Sequence, residues 1–545
     1  MGSYIFVSGG VISGLGKGVT SAALGAVLKR CGYRVTIIKC DAYLNVDAGT
    51  IRPQEHGEVF VTEDGMETDQ DLGHYERFLN EPLSKENYMT NGQIYWEIIK
   101  RERNFEYNGE DVEVVPHVPE EIIRRIKLAE KTKKADITIV EIGGTVGEYQ
   151  NILFLEANRI MKFGMGENVI HVHVGYLPIP KHLGEMKTKP IQTSVRMLNE
   201  TGVQPDFIVA RSENEMDDIR KSRIAWLCNV SKESIISNPD CKSVYEIPLI
   251  FARQNFHLLV LKKLGLKIPP RVDFSNWEHL EKKIKSQKER KIKIAVVGKY
   301  FGIGDYSLGD VYISVLEAIK HASWEKGVDT EISWIDSIQF ENGKLNAEEV
   351  LKDFHGVVVP GGFGKRGVEG IILAIKYARE NNVPYLGLCY GMQLAVIEFA
   401  RNVCGMREAN TTEVDENTKF PVIDILLEQK KLINDKKYGG TMRLGNYEAF
   451  LKNGSLVREI YKKESVFERH RHRYEVNPNF CDILQQNGMV FSGMSKNSKL
   501  VEFIELPEHP FFVGTQAHPE FNSRPESPHP LFLGFVDSAI KVSNK

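Results

Sequence analysis

Short, continuous apolar runs punctuate the first half of the chain: "YIFV" from Tyr4, "VTIIK" from Val35, "ITIVEIGG" from Ile137, "VIHVHV" from Val169 and "DFIVA" from Asp206. Helix-length segments separate them. Runs of this kind, apolar on both sides, predict parallel strands covered on both faces. From Asn276 to Lys293 the texture changes to "NWEHLEKKIKSQKERKIK", charged and strandless, which predicts a helical linker. A fresh strand, "KIAVVGKY", then opens a second set: "GVVVPGG", "PYLGLC" and "FFVGTQAHPE". The pattern predicts an α/β fold of two doubly wound domains with mainly parallel sheets, residues 1–266 and 292–545, joined by a linker over 267–291.

Composition narrows the partners. The chain of 545 residues exceeds one ordinary core, and 42% hydrophobic with 26% charged residues is a globular balance. A net charge of -3 gives no electrostatic reason to expect nucleic acid or an anionic membrane as a partner. The sequence starts directly in a strand pattern, so no secretory leader is expected, and no apolar run reaches membrane-spanning length. Seven cysteines without CxxC spacing argue against a disulfide framework or a zinc site and fit a reducing, cytoplasmic setting.

Chemistry first shows between Phe6 and Arg30. Glycines 9, 10, 14, 16 and 18 lie between a strand and a helix predicted over Val19–Arg30. Such a loop lets the backbone approach phosphates, the helix start supplies free N–H groups, and Lys17 adds a charge. The general phosphate-loop pattern nevertheless fails, because Gly18 stands where a metal-binding Ser or Thr should follow Lys17. A Mg²⁺ ion would therefore need carboxylates. Asp71 in "GMETDQDLGHYERF" and Glu141 in "ITIVEIGGTVGE", both expected at strand ends, are the candidates; a structural ion pair is the alternative. Lys39, ending "VTIIK", either reaches the phosphates or is a solvated strand end.

The second half carries a different chemistry. "PYLGLCYGMQLAV" places Cys389 between a strand and a helix as Gly387-Leu388-Cys389-Tyr390-Gly391, a cysteine form of the nucleophile elbow. "GTQAHPEF" supplies His518 as base and Glu520 as its orienting carboxylate, two apart on a segment expected to be extended. The backbone at Gly361 and Gly362 of "VVVPGGFG" and the amide of Tyr390 are the oxyanion donors.

The blocks "GGVISGLGKG", "HGEVFVTEDG", "DLGHYERF", "VEIGGTVG", "KTKPIQ", "PGGFGKRGVEG", "CYGMQ" and "RHRHRYEVN" occur in this order over nearly the whole chain. In them the chain resembles the CTP synthase family, with a P-loop-like synthetase (amidoligase) domain over 1–266 and a class I glutamine amidotransferase domain over 292–545. The family's phosphate loop has the same off-pattern form, and its Mg²⁺ is held by acidic residues matching Asp71 and Glu141. The resemblance implies an ATP-dependent ligase: UTP is phosphorylated at O4, and ammonia from glutamine, passed internally, displaces the phosphate to give CTP.

Site residues follow from the resemblance. ATP is assigned to Gly14, Leu15, Gly16, Lys17, Gly18, Val19, Lys39 and Asp71. UTP, or CTP as feedback inhibitor, is assigned to Ser13, Glu148, Tyr149, Gln150, Lys187, Thr188, Lys189, Pro190, Ile191, Gln192 and Arg223. Glutamine is assigned to Gly362, Tyr390, Gly391, Met392, Gln393, Glu413 and Arg473, with Glu413 on its amino group and Arg473 on its carboxylate. Pro53, His56 and Val59 are placed near the ammonia passage. GTP activation, a homotetramer built as a dimer of dimers, and filaments are further family expectations. The chain departs from the family around the pyrimidine nucleotide: Glu148-Tyr149-Gln150 replaces Asp-Ile-Glu, Arg223 replaces a lysine, and "HVHVGYLPIP" is unusual. A related glutamine-dependent amidoligase with another acceptor is the alternative these departures leave open; a scaffold protein would be favoured by a broken triad or phosphate loop, and neither is broken, while a plain P-loop ATPase would leave Cys389, His518 and Glu520 idle. The basic run Arg469–Arg473 would suggest nucleic acid, but the chain is slightly acidic overall, and of the run only Arg473 is assigned, to glutamine.

Overall fold

The computed structural model describes residues 2–299, 302–303, 306–307, 310–425 and 442–544. The chain forms two compact units, Met1–Thr50 with Asp71–Lys285, and Ile51–Gln70 with Ser286–Lys545. This division differs from a split at 266 with a linker over 267–291 in two places. The segment Ile51–Gln70 groups with the second unit, held there by contacts far away in sequence. The helix Ser275–Lys285 belongs to the first unit: Trp277 is buried 5.7 Å from the Phe78 ring, and Lys285 pairs with Glu246 at 2.9 Å.

The first unit is built on seven parallel strands in the spatial order Tyr88–Thr90, Val35–Asp41, Ile137–Ile142, Ser3–Gly9, Asn168–Leu177, Phe207–Ser212 and Ile235–Pro239. The apolar runs become its central strands, and nearly every residue in them is buried. The helix Lys17–Arg30 lies close on the sheet because its inner residues are small; a Cβ on Gly25 would already touch Ile37 Cδ1 at 3.0 Å. Register sets up the chemistry, since Glu141 lies opposite both Lys39 and Val7 at the C-terminal edge.

The second unit has a nine-stranded sheet in the order Asp329–Asp336, Lys291–Gly298, Gly356–Val359, Tyr385–Leu388, Phe512–Thr515, Val501–Glu505, Val490–Ser495, Arg443–Leu451 and Ser465–His472. The first five are parallel and the rest continue antiparallel. Successive residues serve opposite cores. Val357 and Val359 pack with Ile371 and Leu394 on one face, while Val358 and Leu386 pack with Ile319 and Phe535 on the other. Among the described residues no helix is long and apolar enough to cross a membrane.

Candidate functional site

In the first unit, Gly16 (φ 91°) turns the chain into the helix that starts at Lys17. Both carboxylates predicted for the metal converge on Lys39: its Nζ pairs with Asp71 Oδ2 and lies 3.1 Å from Glu141 Oε1. Tyr75 donates its hydroxyl to Glu141 Oε2. Burial, with the nearby Asp71 charge, raises the Glu141 pKa to about 7, against the pull of Lys39 and Lys17. Burial, aided by Lys39, lowers the Lys17 pKa. Two carboxylates thus meet beside Lys39, an ion-paired cluster whose oxygens are also the donor type a divalent cation takes. Asp71 is not at a strand end as expected: it opens the helix Asp71–Leu79, where the free N–H groups of the first turn favour a carboxylate.

Most residues assigned to the pyrimidine nucleotide lie on two neighbouring segments, with Ser13 in the phosphate loop and Arg223 on the helix Asp218–Leu227. The loop before Tyr149 meets the helix Lys189–Glu200 so closely that a Cβ on Gly147 would lie 2.0 Å from Met197 Cε. Within that arrangement several assigned side chains are engaged locally. Glu148 accepts from Thr145 N and Oγ1 at 2.8 and 2.6 Å and from Gln150 Nε2 at 2.9 Å. Gln192 donates to Thr188 Oγ1 at 2.9 Å. Ile191 is wholly buried beneath Gly175. Lys187 lies 3.3 Å from Glu185, Tyr149 is 93% exposed, and Lys189 and Arg223 are exposed. Ser13 and Gly14 are exposed in the phosphate loop, where Leu15 is buried and Val19 half-buried in the helix.

In the second unit Cys389 caps the helix Tyr390–Asn402 with φ 50° and ψ -97°, a strained conformation for a residue with a side chain. Both flanking glycines are sterically required. A Cβ on Gly391 would stand 2.3 Å from Val359 O, and one on Gly387 2.7 Å from Tyr385 Oη. The thiol faces Arg471 O at 3.8 Å, and Gln516 Nε2 lies 3.7 Å from the sulfur. His518 Nδ1 lies 2.7 Å from Glu520 Oε1. The ring stacks on Phe521, with centroids 5.1 Å apart, and the backbone N–H is fixed on Arg469 O at 2.7 Å. Burial opposes charge on His518, but Glu520 and Cys389 prevail and raise its pKa to about 10. The pairing does not come from an extended strand: Pro519 starts a 3-10 turn, Pro519–Asn522, and the turn brings Glu520 back to the imidazole.

Gly361 packs directly on His518; a Cβ there would lie 2.6 Å from His518 Cε1. Gly361, Gly362, Cys389 and His518 line one cavity. Pro53, Glu58 and Val59 of the segment Ile51–Gln70 line it too. His56 is not among the lining residues and pairs with Asp69 at 2.9 Å. Glu413 accepts from Gly364 N at 2.8 Å, its pKa raised by burial and restrained by Lys299 and Arg473. Two residues assigned to glutamine turn inward: Met392 is wholly buried, and Gln393 donates to Tyr474 O at 2.9 Å. The run Arg469–Arg473 is also used internally. Arg469 is buried and donates to Val61 O at 3.0 Å, and Arg471 pairs with Glu67 at 2.7 Å.

Lys299 escaped the sequence reading. Its buried Nζ donates to Gly364 O at 2.5 Å, Phe363 O at 3.2 Å and Tyr390 Oη at 3.2 Å, and lies 4.3 Å from the Tyr390 ring centroid. It thus fixes the glycine loop to Tyr390, the residue after Cys389. The only signal for it was its place after "AVVG", at the end of a strand, like Lys39.

Family models and full-length relatives match the chain. The CTP synthase N-terminus family matches residues 3–266, and the class-I glutamine amidotransferase family matches residues 307–538. A CTP synthase of Methanocaldococcus jannaschii is 49% identical over 98% of this chain and 98% of its own length. A CTP synthase of Staphylococcus epidermidis is 48% identical over the full length of both. A solved glutaminase domain of Trypanosoma brucei CTPS with bound acivicin is 39% identical over 46% of this chain and 94% of its own, with a TM-score of 0.42.

Proposed function

The chain belongs to the CTP synthase family, and on that premise we propose how its residues divide the reaction. It is a glutamine-hydrolysing ligase that converts UTP to CTP with ATP. The full-length relationship carries this reading, and the Cys389–His518–Glu520 constellation supports its glutaminase half.

At Cys389 the thiolate attacks the glutamine side-chain carbonyl. His518, held by Glu520, carries the proton to the departing ammonia, and water then releases glutamate from the thioester. Backbone at Gly361 and Gly362 and the Tyr390 amide receive the oxyanion. Glu413 and Arg473 hold the amino and carboxylate ends of glutamine. Gly391, Met392 and Gln393 contribute through the backbone of the first helical turn, since the last two side chains point inward.

In the first unit the loop Gly14–Val19 with Lys17 and Lys39 holds the ATP phosphates, and Ser13, the 148–150 loop, Lys187–Gln192 and Arg223 hold UTP. Asp71 and Glu141 are the residues that would hold Mg²⁺, which when bound neutralises phosphate charge. Phosphorylation makes O4 of UTP a leaving group, and ammonia displaces it as phosphate. Ammonia must stay unprotonated, so an internal route is useful; Pro53 and Val59 beside Cys389 support its start there. GTP as activator, CTP as feedback inhibitor, a homotetramer and a cytoplasmic location belong to the same proposal.

The test is CTP formation from UTP, ATP and Mg²⁺ with glutamine or ammonium. Product from both donors is expected. ATP-dependent glutamine turnover without CTP would overturn UTP as the acceptor.

A further inference from the structure

The strand Asn168–Leu177 carries two histidines that the reaction does not use, His171 and His173, both wholly buried. Ser8 lies opposite His173 in register, one residue before the phosphate loop, and its Oγ contacts both rings: His171 Nε2 at 2.8 Å and His173 Nδ1 at 3.0 Å. His173 Nε2 meets Ser194 Oγ at 2.8 Å, on the helix Lys189–Glu200. Asn158 Nδ2 meets His171 Nδ1 at 2.6 Å.

The protons in this chain can be assigned one from the next. Ser194 gives its hydroxyl proton to Ile191 O at 3.1 Å, so its oxygen accepts from His173 Nε2–H. A neutral His173 then has a bare Nδ1, which accepts from Ser8. Ser8 oxygen accepts from His171 Nε2–H, and His171 Nδ1 accepts from the Asn158 amide. Burial lowers the pKa of both histidines, that of His173 to about 3, so both rings are neutral as the chain requires.

The chain spans two segments that function needs in register. The first loop glycine leans on the same pair: a Cβ on Gly10 would lie 2.1 Å from Ser194 Cβ and 3.2 Å from His173 Nε2. We propose that His173 is a positioning residue that, through Ser8 and Ser194, fixes the root of the phosphate loop against the helix beginning in the Lys187–Gln192 run. This rests on the reading of those segments as ATP and pyrimidine-nucleotide contacts. Buried hydrogen bonds linked in series resist displacement of any member, so filling one nucleotide site should preorganise the other.

The experiment is steady-state CTP formation with ammonium as nitrogen donor, in the full chain and in His173→Phe, which keeps a ring but has no polar atom. The substitution should raise KM for both UTP and ATP about tenfold with little change in kcat. In the unsubstituted protein the UTP KM should fall as ATP rises, and the substitution should abolish that fall, a readout that loss of stability alone does not move; a UTP KM indifferent to ATP in the unsubstituted protein would overturn the coupling. His173→Gln, whose amide still donates towards Ser194, should recover part of the loss, and together with Ser194→Ala replaces the phenylalanine variant if that fails to fold. Folded variants with both KM values within twofold of the unsubstituted protein would overturn the proposal. An unsubstituted protein that UTP does not saturate would overturn the assignment of the Lys187–Gln192 run instead, and this proposal with it.

Discussion

The Asp71 carboxylate occupies the space in which a side chain on Gly18 would stand: a Cβ there would fall 2.1 Å from Asp71 Oδ1. The position after Lys17 is where a general phosphate loop carries its metal-binding hydroxyl. Here that hydroxyl has no room, because a carboxylate from the start of another helix has taken its place. The glycine after Lys17 and the position of Asp71 therefore depend on each other.

Gly18→Ser should therefore damage the loop although it restores the commoner pattern. The new side chain must displace Asp71 or the helix start, an overpacking that costs about 1–3 kcal/mol. CTP formation should fall at least tenfold with either nitrogen donor, because the defect lies in the unit that carries the phosphate loop. Comparing glutamine-driven with ammonium-driven rates checks this; a loss seen with glutamine alone would contradict it.

Cys389→Ala should separate the two half-reactions. Glutamine-dependent synthesis disappears while ammonium-dependent synthesis continues. Glu520→Gln should leave the nucleophile but misorient His518, lowering glutamine turnover by up to about 10⁴-fold. If ammonium-dependent synthesis were lost along with glutamine turnover in the cysteine variant, the division of labour would be wrong.

The strands and the turn at Cys389 were legible because their signals are local. Apolar runs such as "ITIVEI" are core strands wherever they fall in a sheet, and the glycines of Gly387-Leu388-Cys389-Tyr390-Gly391 mark a tight turn between strand and helix. Contacts between distant segments were not legible. Nothing in "HGEVFVTEDG" announces that Glu58 caps a helix about 250 residues onward, since sequence separation carries no trace of the partner. Lys299 was missed for another reason: a strand-end lysine is usually solvated, and only burial distinguishes this one. His518 and Glu520 do pair, but through a proline-started turn in place of an extended segment.

Lys299 gives a pH prediction. Burial lowers its pKa to about 8, against the pull of Glu413 and Glu341. Above that pH the amine keeps only two protons for its three acceptors and loses its charge over the Tyr390 ring. Glutamine kcat/KM should fall with an apparent pKa near 8, and Lys299→Met should be lower throughout and lack that limb. The stability sign is opposite. The folded state releases this proton first, so between about pH 8 and the ordinary lysine value of about 10.4 the unfolded state holds more protons, and stability gains from rising pH. Denaturation across that window, beside the rate profile, distinguishes the two effects.

Glu58 ties the segment Ile51–Gln70 into the second unit. Its buried carboxylate accepts from Ser314 N at 3.1 and 3.2 Å and from the Ser314 hydroxyl, at the start of the helix Ile313–Lys326. A negative charge at a helix N-terminus is favourable, and hydrogen bonds to a charged group are worth about 1.5–3 kcal/mol. Glu58→Ala should destabilise the second unit by about 2 kcal/mol, because it leaves the Ser314 donors facing an empty space. Glu58 and its neighbour Val59 also line the cavity that holds Cys389 and His518, so the loss should reach function. KM for glutamine should rise while ammonium-driven synthesis at saturating nucleotide stays unchanged. Glu58→Gln retains one acceptor and much of the shape, and should fall between. Differential scanning calorimetry paired with glutamine kinetics reads both effects. A glutamine KM unchanged in a destabilised Glu58→Ala protein would confine this residue to holding the segment in place.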